Sequence, residues 1–179
     1  MNRTLFVKIH MYLAAFFTPA VLLVAISGGL YLLGIKGDVE ETRIYHSGNI
    51  KINIHSDTLE ADVAALLVTA GVDNYEFEYV KVKGSTLITR PSSSKHFLIK
   101  MAASGVEVVR AIPNLQSRMI ELHKGHGPTA FKTFQKVFAV GLVFIMLSGL
   151  WLGVSAARLR RSMLLTTLAG SLIFALLLF

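Results

Sequence analysis

The run MYLAAFFTPAVLLVAISGGLYLLGI, residues 11–35, holds 25 positions without one charged side chain and decides the class of this chain. A helix rising about 1.5 Å per residue over that length exceeds the roughly 30 Å hydrocarbon core of a bilayer. Two more charge-free runs follow, 21 residues from Val137 to Ala157 and 18 from Ser162 to Phe179. The sequence therefore predicts three transmembrane helices, at 11–35, 131–157 and 162–179, the last near the minimum length. The first run is longer than the apolar core of a signal peptide, roughly 7–15 residues, and stays apolar past any plausible cut, so it reads as a retained helix.

The charge that remains sets the topology. Arg3 and Lys8 precede the first run, and Arg158, Arg160 and Arg161 lie between the last two. Basic residues next to spans mark the cytoplasmic side. On that rule 1–10 is a cytoplasmic tail, 36–130 an extracytoplasmic domain and 158–161 a cytoplasmic Arg-rich turn. Lys124, Lys132 and Lys136 count the other way, but they adjoin a long domain, where the rule is weak. The net charge of +7 does not gather on one face or tract, which argues against a nucleic-acid partner. With no cysteine, disulfides, thiolate catalysis and cysteine metal sites are excluded.

The stretch between the first two spans reads as α+β. Ile44-Tyr45 and the alternating Ile50, Ile52 and Ile54 suggest opening strands. Ser56 or Asp57 caps a helix carrying Leu59, Val63, Leu66, Leu67 and Ala70 at helical spacing, with Glu60 completing a capping box on Asp57 and Gly71 as its stop. Four strand-like runs follow, Tyr75 to Val82, Ser85 to Arg90, His96 to Met101 and Val106 to Ile112. The short turns between them imply an antiparallel meander packed on one helix. Asn114 to Lys124 is a short amphipathic helix, broken by Gly125, Gly127 and Pro128. The fold expected is thus membrane α-helical, three transmembrane helices with a small extracytoplasmic α+β domain of antiparallel sheet plus helix.

The spans carry packing signals. Gly28 and Gly29 should lie level with Gly141, and Ala14 and Ala15 with Gly153, with Gly149 and Gly153 as a GxxxG pair. Ser27-Gly28-Gly29-Leu30-Tyr31-Leu32 echoes Ser148-Gly149-Leu150-Trp151-Leu152, which hints at a duplicated helix motif.

Lys8-Ile9-His10, opening a span that ends in Ser27-Gly28-Gly29-Leu30-Tyr31, resembles the first helix of the PepSY-associated transmembrane helix family. Glu121-Leu122-His123-Lys124-Gly125, before a span ending in Ser148-Gly149-Leu150-Trp151-Leu152-Gly153, resembles its second, and the α+β stretch between is similar to a PepSY domain. The resemblance covers roughly residues 5 to 155. It implies a multi-pass protein of the bacterial inner (cytoplasmic) membrane whose domain sits in the periplasm, related to proposed peptidase regulators or to haem-bearing reductases of iron–siderophores. Two features depart from the family. Met11 and Lys124 stand where an arginine often follows the histidine, and the third span contains no histidine.

The candidate cofactor-binding residues are His10, His123 and His126, since neutral imidazole ligates haem iron. His123 and His126, three apart, could also join Glu121 in a metal site of two histidines and a carboxylate. His10 and His123 stand about 36 Å apart at the two ends of the first span, so they cannot share one iron. A bis-histidine site at His10 needs a second copy or another subunit. His46, His55 and His96 are expected on the domain surface, and the acidic pairs Glu40-Glu41 and Glu76/Glu78 on solvated faces. No P-loop, GxGxxG, GxSxG or HExxH occurs, and no catalytic residues are assigned. Two functions remain: a non-catalytic tethered module or accessory subunit for a membrane or periplasmic redox or iron-uptake partner, and a haem b electron carrier. Homo-oligomers fit either.

Overall fold

Alternation along the third and fourth strands of the chain puts Leu87, Phe97 and Ile99 on one sheet face, and all three are almost fully buried. They fix the fold of the central domain. The computed structural model describes residues 3–179. Its elements are α1 (Arg3–Leu32), β1 (Val39–Ser47), α2 (Leu59–Thr69), β2 (Tyr79–Lys83), β3 (Thr86–Arg90), β4 (His96–Ala102), β5 (Gly105–Pro113), α3 (Leu115–His123), α4 (Thr129–Ser155) and α5 (Arg160–Leu178). Three of these helices, α1, α4 and α5, are long and apolar enough to cross a membrane, at 30, 27 and 19 residues. Contacts divide the chain into two units, one of residues up to Val21 with Lys136–Phe179, the other of Leu22–Gln135.

In the second unit the strands form one antiparallel sheet of order β1-β5-β4-β3-β2. The expected meander is present in β2 to β5, and β1 closes the far edge against β5. Val63, Leu66 and Leu67 of α2 meet Leu87, Phe97, Ile99, Val106 and Val108 in a single core. Each fully buried side chain of this kind contributes about 1.5–3 kcal/mol, before the chain entropy that opposes it. The opposite face carries His96, Leu98 and Lys100 in register with Ala111, Val109 and Glu107. Within α3, Asn114 caps the N-terminus by accepting the Ser117 amide at 2.9 Å. Gly125, at φ +75°, follows its end.

Three local expectations change. Residues 50–54 are not a strand, because β1 already takes the free edge of β5. Ile50, Ile52 and Ile54 instead lie half-buried against the core from an irregular segment, turned by the His55 amide on the Asn53 side chain. Tyr75 and Phe77 precede β2 as a loop, and the Tyr75 hydroxyl meets Thr89 at 3.1 Å. Before α2 the flanking residue is Thr58, which makes no capping bond; its hydroxyl reaches Asp62 instead, so the box between Asp57 and Glu60 does not form.

The apolar helices also differ at their ends. α1 starts at Arg3, so most of the tail expected at 1–10 is helical, Lys8 and His10 included; Met1 and Asn2 lie outside the described residues. α4 starts at Thr129 and α5 at Arg160. Within the first unit, Phe17 packs on Phe138 with ring centroids 5.6 Å apart, and Phe6 lies edge-on to Trp151 at 5.0 Å. The glycines do not meet glycines or alanines as expected. A Cβ on Gly141 would strike the Phe17 ring, and one on Gly153 would come within 2.7 Å of Met163 on α5. Each missing side chain leaves room for a large neighbour rather than for a second backbone.

Candidate functional site

The two copies of the Ser-Gly echo do the same thing. In the first unit, His10 of α1 lies against α4, its Nδ1 2.8 Å from Ser148 Oγ. A Cβ on Gly149 would come within 3.2 Å of its ring. In the second unit, His123 of α3 lies against α1, its Nδ1 3.0 Å from Ser27 Oγ. A Cβ on Gly28 would again come within 3.2 Å of the ring. Each motif is a seat for an imidazole, with serine as anchor and glycine as floor.

The serines decide which ring nitrogen holds the proton. Ser27 donates its only proton to the Leu23 carbonyl at 2.6 Å, and Ser148 donates its own to Ile145 at 3.1 Å. With its proton on the helix carbonyl each Oγ accepts from the imidazole, and the histidine then presents Nδ1–H. Nε2 is left with a lone pair, and neither Nε2 has a hydrogen-bond partner among the described residues. A fixed ring with a free lone pair suits a metal ligand or an acceptor for a ligand O–H.

A second constellation lies on the sheet face away from α2. Glu121 of α3 accepts hydrogen bonds from Ser92 at 2.5 Å, His126 at 2.7 Å and Lys124 at 2.8 Å, with Arg90 at 3.4 Å. Arg90 is only 7% exposed; it also donates to Ser92, while its Nε has no partner. These side chains line a cavity of about 240 Å³ together with Lys83, His96, Ile88 and Leu98. Burial alone would raise the Glu121 pKa, but the bonds from Lys124, Ser92 and His126 and the charge of Lys124 outweigh it and hold the carboxyl at about 2. His96, expected at the surface, is buried, and its Nδ1–H donates to the Ser94 carbonyl at 2.8 Å. Burial pushes its pKa below the ordinary 6.5, Arg90 adding to the effect. His46 and His55 are exposed, as expected.

The three candidate histidines thus have separate partners: His10 on Ser148, His123 on Ser27 and His126 on Glu121. Gly125 breaks the helix between His123 and His126, so their spacing does not put them on one face. Among the described residues no group of three His, Asp or Glu side chains could hold a metal ion. The sequence did not single out Arg90, Ser92 or His96, which converge only through the sheet register and α3. Glu78, exposed as expected, also grips the first turn of α4. Its two oxygens accept the Thr129 amide and hydroxyl, both at 2.7 Å, bonds that lower its pKa. Comparison with family models, characterised proteins and solved structures finds no match.

Acid should weaken this domain in two stages. His96 titrates below its ordinary 6.5 in the fold, so its share of stability is complete above that value and is lost as pH falls through the depressed pKa. Glu121 is ionised in the fold down to about 2 against an ordinary 4.5, so its share is lost between those values. Thermal melts followed by circular dichroism should show Tm falling once pH drops below 6.5. His96→Asn, which keeps a donor for Ser94, should flatten that first stage; an unchanged wild-type Tm down to acid would contradict the assignment.

Proposed function

We propose that this chain is a non-catalytic inner-membrane module whose extracytoplasmic, PepSY-like domain binds a membrane or periplasmic protein of a redox or iron-uptake system. The observation that carries the reading is the engagement of Glu121, which accepts bonds from Ser92, His126 and Lys124 beside the buried Arg90. A carboxyl held at about 2 stays ionised and fully engaged at neutral pH, so it is poorly suited to carry protons as a general acid or base. What remains is a rigid arrangement of charge around a cavity, suited to recognising a partner's polar groups. The grip of Glu78 on Thr129 holds the sheet to the start of α4, which suits a tethered binding surface. The basic residues beside the spans favour a cytoplasmic N-terminus and an exported domain. Photocrosslinking in cells tests this. A photoreactive residue at Lys83, on the cavity rim, should give an adduct with another protein that Glu121→Gln removes. The same residue at Thr69, on α2, should give none. No adduct at Lys83 in cells grown with or without iron would contradict the reading.

A haem b electron carrier is the second reading, favoured by the free Nε2 lone pairs of His10 and His123. Neutral imidazole with Nδ1–H engaged is the form that ligates iron. Each seat supplies one such nitrogen, so a haem with two axial imidazoles fits only when a second copy or another subunit adds the other. When bound, haem would supply one-electron transfer; these residues would hold and orient it. Protein purified after expression with added haem should then show a Soret band that His10→Ala and His123→Ala each diminish. No Soret band in the wild-type protein would sink this reading and leave the first standing.

A further inference from the structure

Beside the His123 seat lies an apolar slot of about 280 Å³ lined by Ser27, Gly28, Tyr31, Ile120, His123 and Lys124. It shares only Lys124 with the charged cavity, and nothing in the binding-module reading depends on it. Gly28 forms part of its floor, and the His123 ring seated against that glycine is one wall. Part of the slot belongs to α1, one of the helices apolar enough to cross a membrane.

The chemistry of the slot narrows its occupant. The Lys124 ammonium is engaged by Glu121 at 2.8 Å, so it is not free for an anion. Ser27 is engaged on both sides, by Leu23 and by His123. Two polar groups remain without a hydrogen bond among the described residues: His123 Nε2, a neutral acceptor, and the Tyr31 hydroxyl. A ligand matching them is uncharged, flat enough to lie along an imidazole, and carries a hydroxyl to donate. The volume lies just under the 300–1,000 Å³ usual for small-molecule pockets, which suits one substituted ring and is tight for a macrocycle.

We propose that this slot binds a hydroquinone head group, one hydroxyl donating to His123 Nε2. The hydroquinone is bound with a hydroxyl proton that its oxidised quinone lacks. The quinone presents only carbonyl oxygens, which meet the Nε2 lone pair as acceptor against acceptor. The site therefore discriminates redox states by hydrogen-bond polarity, and an unmade buried hydrogen bond of this kind corresponds to about tenfold in affinity.

The test uses the full chain in lipid nanodiscs, with duroquinol as a short-chain probe and a long-chain isoprenoid quinol as a membrane-soluble one. Binding is read by saturation-transfer NMR for the first and by equilibrium partition between loaded and empty discs for the second. Saturable binding of duroquinol, at least tenfold weaker for duroquinone and for His123→Ala, supports the site. His55→Ala, at an exposed histidine outside both cavities, should bind normally and controls for histidine loss as such. Tyr31→Phe, which keeps the ring, should weaken binding less than His123→Ala. A stronger hold on the isoprenoid quinol with the same dependence on His123 identifies the membrane pool as the source; equal affinities identify a soluble phenol. Equal affinity for quinol and quinone, binding unimpaired by His123→Ala, or no saturable binding of either probe overturns the proposal. A Soret band lost in His123→Ala also overturns it, by giving the same nitrogen to iron.

Discussion

A serine hydroxyl has one proton, and in this chain Ser27 and Ser148 both give theirs to the helix turn behind them. That local habit, common for serine in helices, turns each side chain into an obligatory acceptor. The histidine that meets it must offer Nδ1–H, and the ring is then fixed in tautomer and orientation. Each such bond contributes only about 0.5–1.5 kcal/mol net. The larger effect is positional. It aligns α1 with α4 at His10 and α1 with α3 at His123, and it leaves one nitrogen of each ring free for chemistry.

The α+β domain is built on a different constraint, the division of its sheet into two unlike faces. The face against α2 is filled by aliphatic and aromatic side chains and has no polar need beyond Thr89, whose Oγ1 accepts the Phe97 amide at 2.9 Å. The other face buries Arg90 and His96 and answers them with Glu121 from α3. A buried guanidinium requires a counter-charge, and removing that partner from a buried pair generally costs more than the pair ever contributed. The position of α3, and with it the seat of His123, is therefore coupled to the ionisation of one carboxylate.

Much of this was legible in the sequence. Uncharged runs revealed α1, α4 and α5, because lipid tolerates few alternatives. Period and turn chemistry revealed α2, α3 and the four-strand meander, and Gly125 marked the end of α3. The isoleucines at 50, 52 and 54 misled because a period of two reports alternate burial, not strand pairing, and these side chains pack against the core without joining a ladder. His96 misled because its burial depends on register with Ala111 and on coverage by α3, neither of which is local. The site was half visible: the Ser-Gly echo and the histidines could both be read, but not that each motif seats a histidine from elsewhere in the chain. Glycine spacing suggested backbone contact where the structure uses the space for rings.

The central claim is that Ser27 and Ser148 fix the tautomers of His123 and His10, and ¹⁵N NMR of histidine-labelled protein in nanodiscs reads this directly. The neutral form of each ring should show a protonated Nδ1 and a non-protonated Nε2, with the His123 signals moving toward a mixed tautomer ratio in Ser27→Ala alone and the His10 signals in Ser148→Ala alone. Rings protonated on Nε2, or unaffected by loss of their serine, would contradict the account.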